Sequence, residues 1–170
     1  MQEYIEAASF QQYLEHGEIL SYDQAAEGVG AISTSAIPVR GEAGVEDQSN
    51  GLGLDLGHED YVLGIYDMTG ELMRFAITTM ATNQQLPTIA VDNSERNVLT
   101  DMRALRSALD SLECGTGPFA KDADKKAEVM RQSVEKVEKA LYGLTVRGAE
   151  RPKGWMPDLS AASGPVEVEG

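Results

Sequence analysis

The apolar positions of this chain recur at helical spacing rather than at the alternate positions expected of a strand. Residues 122–147 carry the longest such stripe, in steps of three and four, at Ala127, Met130, Val134, Val137, Leu141 and Leu144. Residues 94–112 repeat the pattern at Val98, Met102, Leu105, Leu109 and Leu112. This spacing places the apolar side chains on one face of a helix, which is typical of helices packed against a core. We therefore predict an all-α fold, an antiparallel bundle of long helices.

Turn and capping residues set the expected helix boundaries. The predicted helices cover residues 2–16, 59–82, 94–112 and 122–147, with a candidate short helix near 22–28. Gly17 is the expected C-cap of the first helix, and Asp92 or Ser94 the expected N-cap of the third. Residues 83–92, with Pro87, form the connection before that third helix.

Two segments lack helical periodicity. Residues 29–57 are rich in glycine, serine and acidic residues and are predicted to be a mobile acidic loop. Residues 151–170 contain three prolines and three glycines and are predicted to be a disordered tail, with docking of Trp155 as the alternative. The expected organisation is therefore one helical domain over residues 1–150, followed by that tail.

The charge of the chain is strongly negative, with a formal net charge of −14. Residues 1–60 hold 12 acidic residues and only one basic residue, Arg40. Because affinity for phosphate comes mainly from lysine and arginine, this balance argues against a nucleic-acid-binding protein that acts alone. A metal ion or a basic partner would have to offset the field.

The sequence contains few indications of the cellular compartment. Cys114 is the only cysteine, so no intrachain disulfide can form, which fits a reducing compartment. The start of the chain has two glutamates and no basic residue, unlike a secretory signal, and no apolar run reaches the length of a membrane span. We predict a soluble intracellular protein.

Four acidic residues form two short helical patterns. Glu3 and Glu6 are three residues apart, and Asp67 and Glu71 are four apart, so each pair shares one face of its helix. The second pair belongs to a polar stripe at Asp60, Gly64, Asp67, Glu71 and Arg74. Periodicity alone favours the solvent-facing side of an amphipathic helix. The alternative is that the stripe faces a cleft and meets Glu3 and Glu6.

In the second interpretation, carboxylates held close together require a cation, because like charges raise one another's pKa. The histidines, His16 and His58, do not follow the glutamates at the spacing of di-iron helical bundles. All-oxygen ligation suits Mg²⁺ or Mn²⁺. Such an ion on an acidic cluster is typical of enzymes that cleave phosphodiester bonds, in which a free carboxylate can act as the base.

At these residues the chain resembles the translin-associated factor X family, a branch of the translin family. The resemblance rests on four motifs in order, within residues 2–153: the segment 2–10, the segment 60–74, Thr116-Gly117-Pro118-Phe119, and residues 144–150 with Pro152-Lys153. It implies a Mg²⁺-dependent endoribonuclease that acts on single-stranded RNA, within a hetero-oligomer with translin. Single-stranded DNA is a second expected ligand, and the expected location is cytoplasmic and nuclear. The motifs then place Glu3, Glu6, Asp67 and Glu71 in the catalytic and metal site, with Glu6 and Glu71 as direct ligands.

The alternative to the enzyme is a non-catalytic helical subunit that stabilises a translin assembly. The family has long helices before the first acidic motif, so we expect this chain to be a truncated product or to have a misassigned start. Arg147 is a weak candidate for RNA contact, because a cation is equally well placed at a helix C-terminus for electrostatic reasons alone. Lys121, Lys125, Lys126 and Arg131 are predicted to form a solvated face.

Overall fold

Five helices and one small hairpin make up the described part of the protein. The computed structural model describes residues 1–35, 54–91 and 94–147. The helices are α1 Gln2–His16, α2 Tyr22–Ser35, α3 His58–Asn83, α4 Val98–Asp110 and α5 Pro118–Arg147, and the strands are β1 Thr88–Val91 and β2 Ser94–Asn97. The predicted all-α class is therefore confirmed. None of the described helices is long and apolar enough to cross a membrane.

Helix α3 lies at the centre, with α1 and α5 packed against it. Helices α4 and α5 are antiparallel, since Arg103 pairs with Glu138 and Asp110 pairs with Arg131. Helix α3 meets α4 where the Tyr66 hydroxyl donates to the Leu109 carbonyl, 3.3 Å away. Helix α1 instead runs in the same direction as α3, since Gln2 contacts Asp60 near both starts. Further along, the rings of Phe10 and Phe75 meet edge to face with centroids 6.2 Å apart. Lys126, in the first part of α5, contacts Asp67, so the starts of α1 and α5 lie along the same half of α3.

The core follows the predicted stripes. The stripe positions of α5 up to Val137 are buried, and Met130, Val134 and Val137 have no exposed surface. In α4, Val98, Met102, Leu105 and Leu109 are buried, whereas Leu112 lies beyond the helix and is exposed. Helical spacing thus identified the buried faces of α4 and α5, except at Leu112 and at the partly buried Leu141 and Leu144.

The hairpin was not predicted. Thr88 pairs with Asn97 and Val91 with Ser94 in an antiparallel ladder. Helix α4 consequently begins at Val98, and its N-cap is Asn97, whose side-chain oxygen accepts a hydrogen bond from the Thr100 backbone N–H at 2.8 Å. The expected N-cap at Asp92 or Ser94 was wrong. Four-residue strands are too short to show an alternating pattern, and their pairing is a tertiary property.

The expected loop over residues 29–57 was wrong at its start, because α2 continues as a helix to Ser35. Residues 36–53 of that loop lie outside the described residues, as do the tail 151–170 and Trp155. Helix α5 begins earlier than expected, at Pro118. Proline suits the first position of a helix, because the backbone N–H that it lacks has no helical partner there.

Candidate functional site

The site begins where α1 crosses α3 at Gly64. A Cβ atom built on Gly64 would lie 2.6 Å from the Cβ of Ile5 and 3.0 Å from the Gln2 carbonyl oxygen. The missing side chain is therefore what allows α1 to approach this closely. Nearby, the Gln2 side-chain amide donates to the Asp60 carboxylate at 3.2 Å. At Asp60 and Gly64 the polar stripe of α3 thus faces α1, whereas Arg74 at the end of the stripe is 73% exposed.

Beside this crossing lies an open cleft of about 310 Å³ between α1, α3 and α5. Its lining comprises Glu6, Tyr66, Asp67, Gly70, Glu71, Arg74, Lys126 and Val129. Three of the four predicted site acids, Glu6, Asp67 and Glu71, therefore share one surface. In the described part of the chain, Glu3 does not join that lining and is exposed on α1.

Two of the three acids are paired with cations. The Lys126 ammonium contacts both carboxylate oxygens of Asp67, and the two side chains are only 27% and 32% exposed. Glu71 pairs with Arg74 at 3.0 Å, one helical turn away on α3. The Arg74 side chain is 73% exposed. The Lys126–Asp67 pair is therefore the better shielded of the two, and the weaker screening there makes it the stronger interaction.

Glu6 differs from the other two acids because the described residues give it no ion pair. Partial burial raises the pKa of its carboxyl, and the charges of Asp67 and Glu71 raise that pKa further. Arg74 and Lys126 oppose this rise but do not cancel it. Glu6 is therefore the carboxylate in the cleft with the most to gain from an additional cation.

The donor chemistry of the cleft suits a hard cation, since carboxylate oxygens from Glu6, Asp67 and Glu71 line it without histidine. His58 instead stacks on Tyr22, with ring centroids 4.2 Å apart, at the start of α3. Across residues 1–35, 54–91 and 94–147, however, no three acidic, histidine or cysteine side chains are gathered closely enough to hold a metal ion. The donors fit such an ion in kind, but Lys126 occupies both oxygens of one of them.

The sequence did not predict that Lys126 belongs to the site, because its pattern placed Lys126 on a solvated face of the helix. Its neighbour Lys125 does lie there, 77% exposed and paired with Asp122 on the same helix. Lys126 lies three residues after buried Ala123 and four before buried Met130, at the edge of the buried stripe. That position on the helix was a usable signal, since it directs the side chain along the boundary between α5 and α3.

The remaining candidate, Arg147, is the last residue of α5. Its side chain lies outside the described residues, so its role in RNA contact stays a prediction. Arg131, also assigned to the solvated face, pairs with Asp110 on α4 at 2.8 Å and is 44% exposed.

The sequence is similar to translin-associated proteins X from two mammals and to a yeast homolog. The chain is 32% identical over 166 residues to a translin-associated protein X from Mus musculus, and 31% identical over 169 residues to one from Pongo abelii. It is 27% identical over 151 residues to a translin-associated protein X homolog from Schizosaccharomyces pombe. The two mammalian matches cover 94% of this chain and the yeast match 89%, but each covers only 52% of the relative. The chain thus spans about half the length of the curated relatives that it matches.

No solved structure gives a significant match to this chain. The translin family as a whole matches residues 1–148, which include every element of the cleft. The match also includes the segments that carry the acidic pairs and the Thr116-Gly117-Pro118 turn before α5. The chain belongs to the translin family.

Proposed function

We propose that the chain is a metal-dependent endoribonuclease subunit that cleaves single-stranded RNA within a hetero-oligomer with translin. The observation that supports this proposal is the convergence of Glu6 from α1 with Asp67 and Glu71 from α3 on one cleft. Acids that are 61 or more residues apart in the sequence share this surface because α1 runs along α3. The names of the relatives, which associate them with translin, support the proposed partner.

The proposed roles follow the chemistry of each carboxyl. Glu6 and Glu71 are the expected ligands for Mg²⁺, with Mn²⁺ as a substitute, and Asp67 and Glu3 would hold water molecules or act as the base. When bound, the ion would polarise the phosphoryl oxygen and lower the pKa of the attacking water. Glu3, being exposed, would need a change in its side-chain conformation or a contact from another subunit to take part.

The shape of the cleft suits an extended substrate. It is open along one side, and Val129, which is 60% exposed, provides an apolar surface next to the acids. A flexible single strand can place a phosphodiester over the carboxylates while a base or ribose packs on Val129. A duplex is too wide and rigid to enter between three helices, so single-stranded RNA is the preferred substrate.

The test is cleavage of labelled single-stranded RNA by the full chain reconstituted with translin, in Mg²⁺ and in EDTA. Glu6→Gln and Glu71→Gln should each lower the rate on the order of 100-fold, because each removes a charged oxygen ligand but keeps the side-chain shape. Glu135→Gln is the matched control, since Glu135 is an exposed acid on α5 that pairs with Lys139 on the same helix. Cleavage that persists unchanged in both cleft variants would refute the proposal.

A non-catalytic scaffold subunit is the second candidate. Lys126 and Arg74 already neutralise two of the three acids, which is the arrangement expected of a structural ion-pair cluster. An intact wild-type complex that assembles with translin but shows no Mg²⁺-dependent cleavage would support this candidate. Binding of single-stranded DNA and a cytoplasmic and nuclear location remain predictions under either function.

A further inference from the structure

We infer that Lys126 is an internal counter-ion that competes with a divalent cation for Asp67, so that the cleft binds metal only when Lys126 moves away. The inference rests on the proposed function in one respect, that the cleft takes a divalent cation. It goes beyond that function by assigning a role to a residue outside the acidic motifs and by setting the condition under which the site loads.

The geometry of the Lys126–Asp67 pair supports the role of Lys126 as a counter-ion. Lys126 contacts both Asp67 oxygens at once, so a cation that binds either oxygen must share it with the ammonium group. The partners come from different helices and are only 27% and 32% exposed. The other described lysine pairs, Lys125–Asp122 and Lys139–Glu135, each lie within one helix and involve side chains more than half exposed.

The charge balance of the cleft also disfavours a divalent ion while Lys126 is in place. Its lining contains three acids and two bases, a formal charge of −1. A divalent ion bound beside Lys126 and Arg74 would be repelled by both, in a partly buried place where charges are poorly screened. If Lys126 leaves, the Asp67 carboxylate becomes available to the ion or to its bound water, and one source of repulsion moves away.

The side chain of Lys126 is able to move away from Asp67. Its ammonium stands on a flexible four-carbon stem, and its position at the edge of the buried stripe gives it a path to solvent on one side. Arg74 is already largely exposed and contacts only one acid, so its departure requires less rearrangement. Lys126 is therefore the residue whose displacement limits metal binding.

The test uses Mn²⁺ as the probe and the full chain without translin, with free Mn²⁺ measured by electron paramagnetic resonance. Lys126→Met, which keeps the length of the stem but removes the charge, should bind Mn²⁺ on the order of tenfold more tightly than the wild type. Lys126→Arg, which keeps the charge, should bind no more tightly than the wild type. Lys125→Met is the matched control at the neighbouring exposed position and should leave the affinity unchanged.

Adding Glu6→Gln to Lys126→Met should abolish the gain, which localises the ion to the cleft. Circular dichroism and urea unfolding establish that each variant is folded, and Lys126→Gln replaces Lys126→Met if the latter is not. Equal or weaker Mn²⁺ binding by a folded Lys126→Met or Lys126→Gln protein, or no binding by any variant, would overturn the inference. Tighter binding by Lys126→Met alongside a wild-type complex that does not cleave RNA would leave the inference standing and refute the proposed function.

Discussion

At the scale of single residues, Glu6 has a carboxyl group whose surroundings disfavour its charged form. Burial and the nearby Asp67 and Glu71 raise its pKa above the ordinary value of 4.5, against the opposing effect of Arg74 and Lys126. Because the folded-state pKa is the higher one, the contribution of Glu6 to stability is full below pH 4.5 and is lost as the pH rises through the folded-state pKa. At neutral pH, metal-free Glu6 therefore lowers the free energy of unfolding.

Glu6→Gln should consequently raise the thermal unfolding midpoint at pH 7 in EDTA, because the variant has no charge to bury. At pH 4 and below, where the wild-type carboxyl is protonated in the folded state, the two midpoints should converge. The measurement is thermal unfolding followed by circular dichroism from pH 3 to pH 8. A stabilisation that is the same at every pH would show that the charge of Glu6 is not its cause.

The residues of the site were only partly predictable from the sequence. The spacing of Glu3 and Glu6, and of Asp67 and Glu71, placed each pair on a helix face, and the structure brings Glu6 together with Asp67 and Glu71. Spacing could not show that Glu3 lies outside the lining of the cleft. It also could not show that Lys126, distant in sequence, pairs with Asp67, because that depends on the relative rotation of two helices.

At the scale of elements, the close crossing of α1 and α3 controls where Glu6 lies. Gly64→Ala would add an atom 2.6 Å from the Cβ of Ile5, and no rotamer of Ile5 moves its own Cβ. Helix α1 must therefore shift, at a cost of about 1–3 kcal/mol from overpacking. Gly70→Ala is the matched control on the same helix, because a Cβ there meets nothing within 4 Å.

Gly70→Ala should gain roughly 0.5–1 kcal/mol from helix propensity, whereas Gly64→Ala should lose stability despite the same intrinsic gain. Urea unfolding at 25 °C measures both changes. Gly64→Ala should also weaken Mn²⁺ binding, since Glu6 follows Ile5 on the shifted helix. Equal stabilisation by the two substitutions would show that α1 does not depend on a close approach at Gly64.

The elements themselves were largely predictable, and the exceptions have physical causes. The long helices with strong apolar stripes, α4 and α5, were identified by their periodicity, and the glycine C-cap of α1 was identified by residue type, as Gly17 adopts φ 70°. Helix α2 was underestimated because its second half, with Gly28 and Gly30, has low intrinsic helix propensity. There, Gly28 leaves room for the Tyr4 hydroxyl group, a tertiary contact that no local pattern records.

At the scale of the whole molecule, the net charge of −14 limits what the chain does alone. The cleft itself carries a formal charge of −1, so neither the surface as a whole nor the site attracts a polyanion. The proposed enzyme therefore requires two sources of positive charge, a divalent ion in the cleft and a cationic partner surface for the rest of the RNA. In the proposed complex, this charge balance assigns cleavage to the metal-loaded cleft and RNA binding to the partner.

The chain alone, in EDTA and about 150 mM salt, should bind labelled single-stranded RNA no more tightly than about 10⁻⁴ M, because its own field repels the phosphates. Addition of translin should produce binding that weakens as salt is raised, since the partner would supply the lysine and arginine contacts. Fluorescence anisotropy of the RNA measures both states, with translin alone as the control that separates its contribution. Micromolar, salt-sensitive binding by the chain alone would contradict this argument, because it would require a cationic RNA surface within a chain that has 14 basic residues against 28 acidic ones.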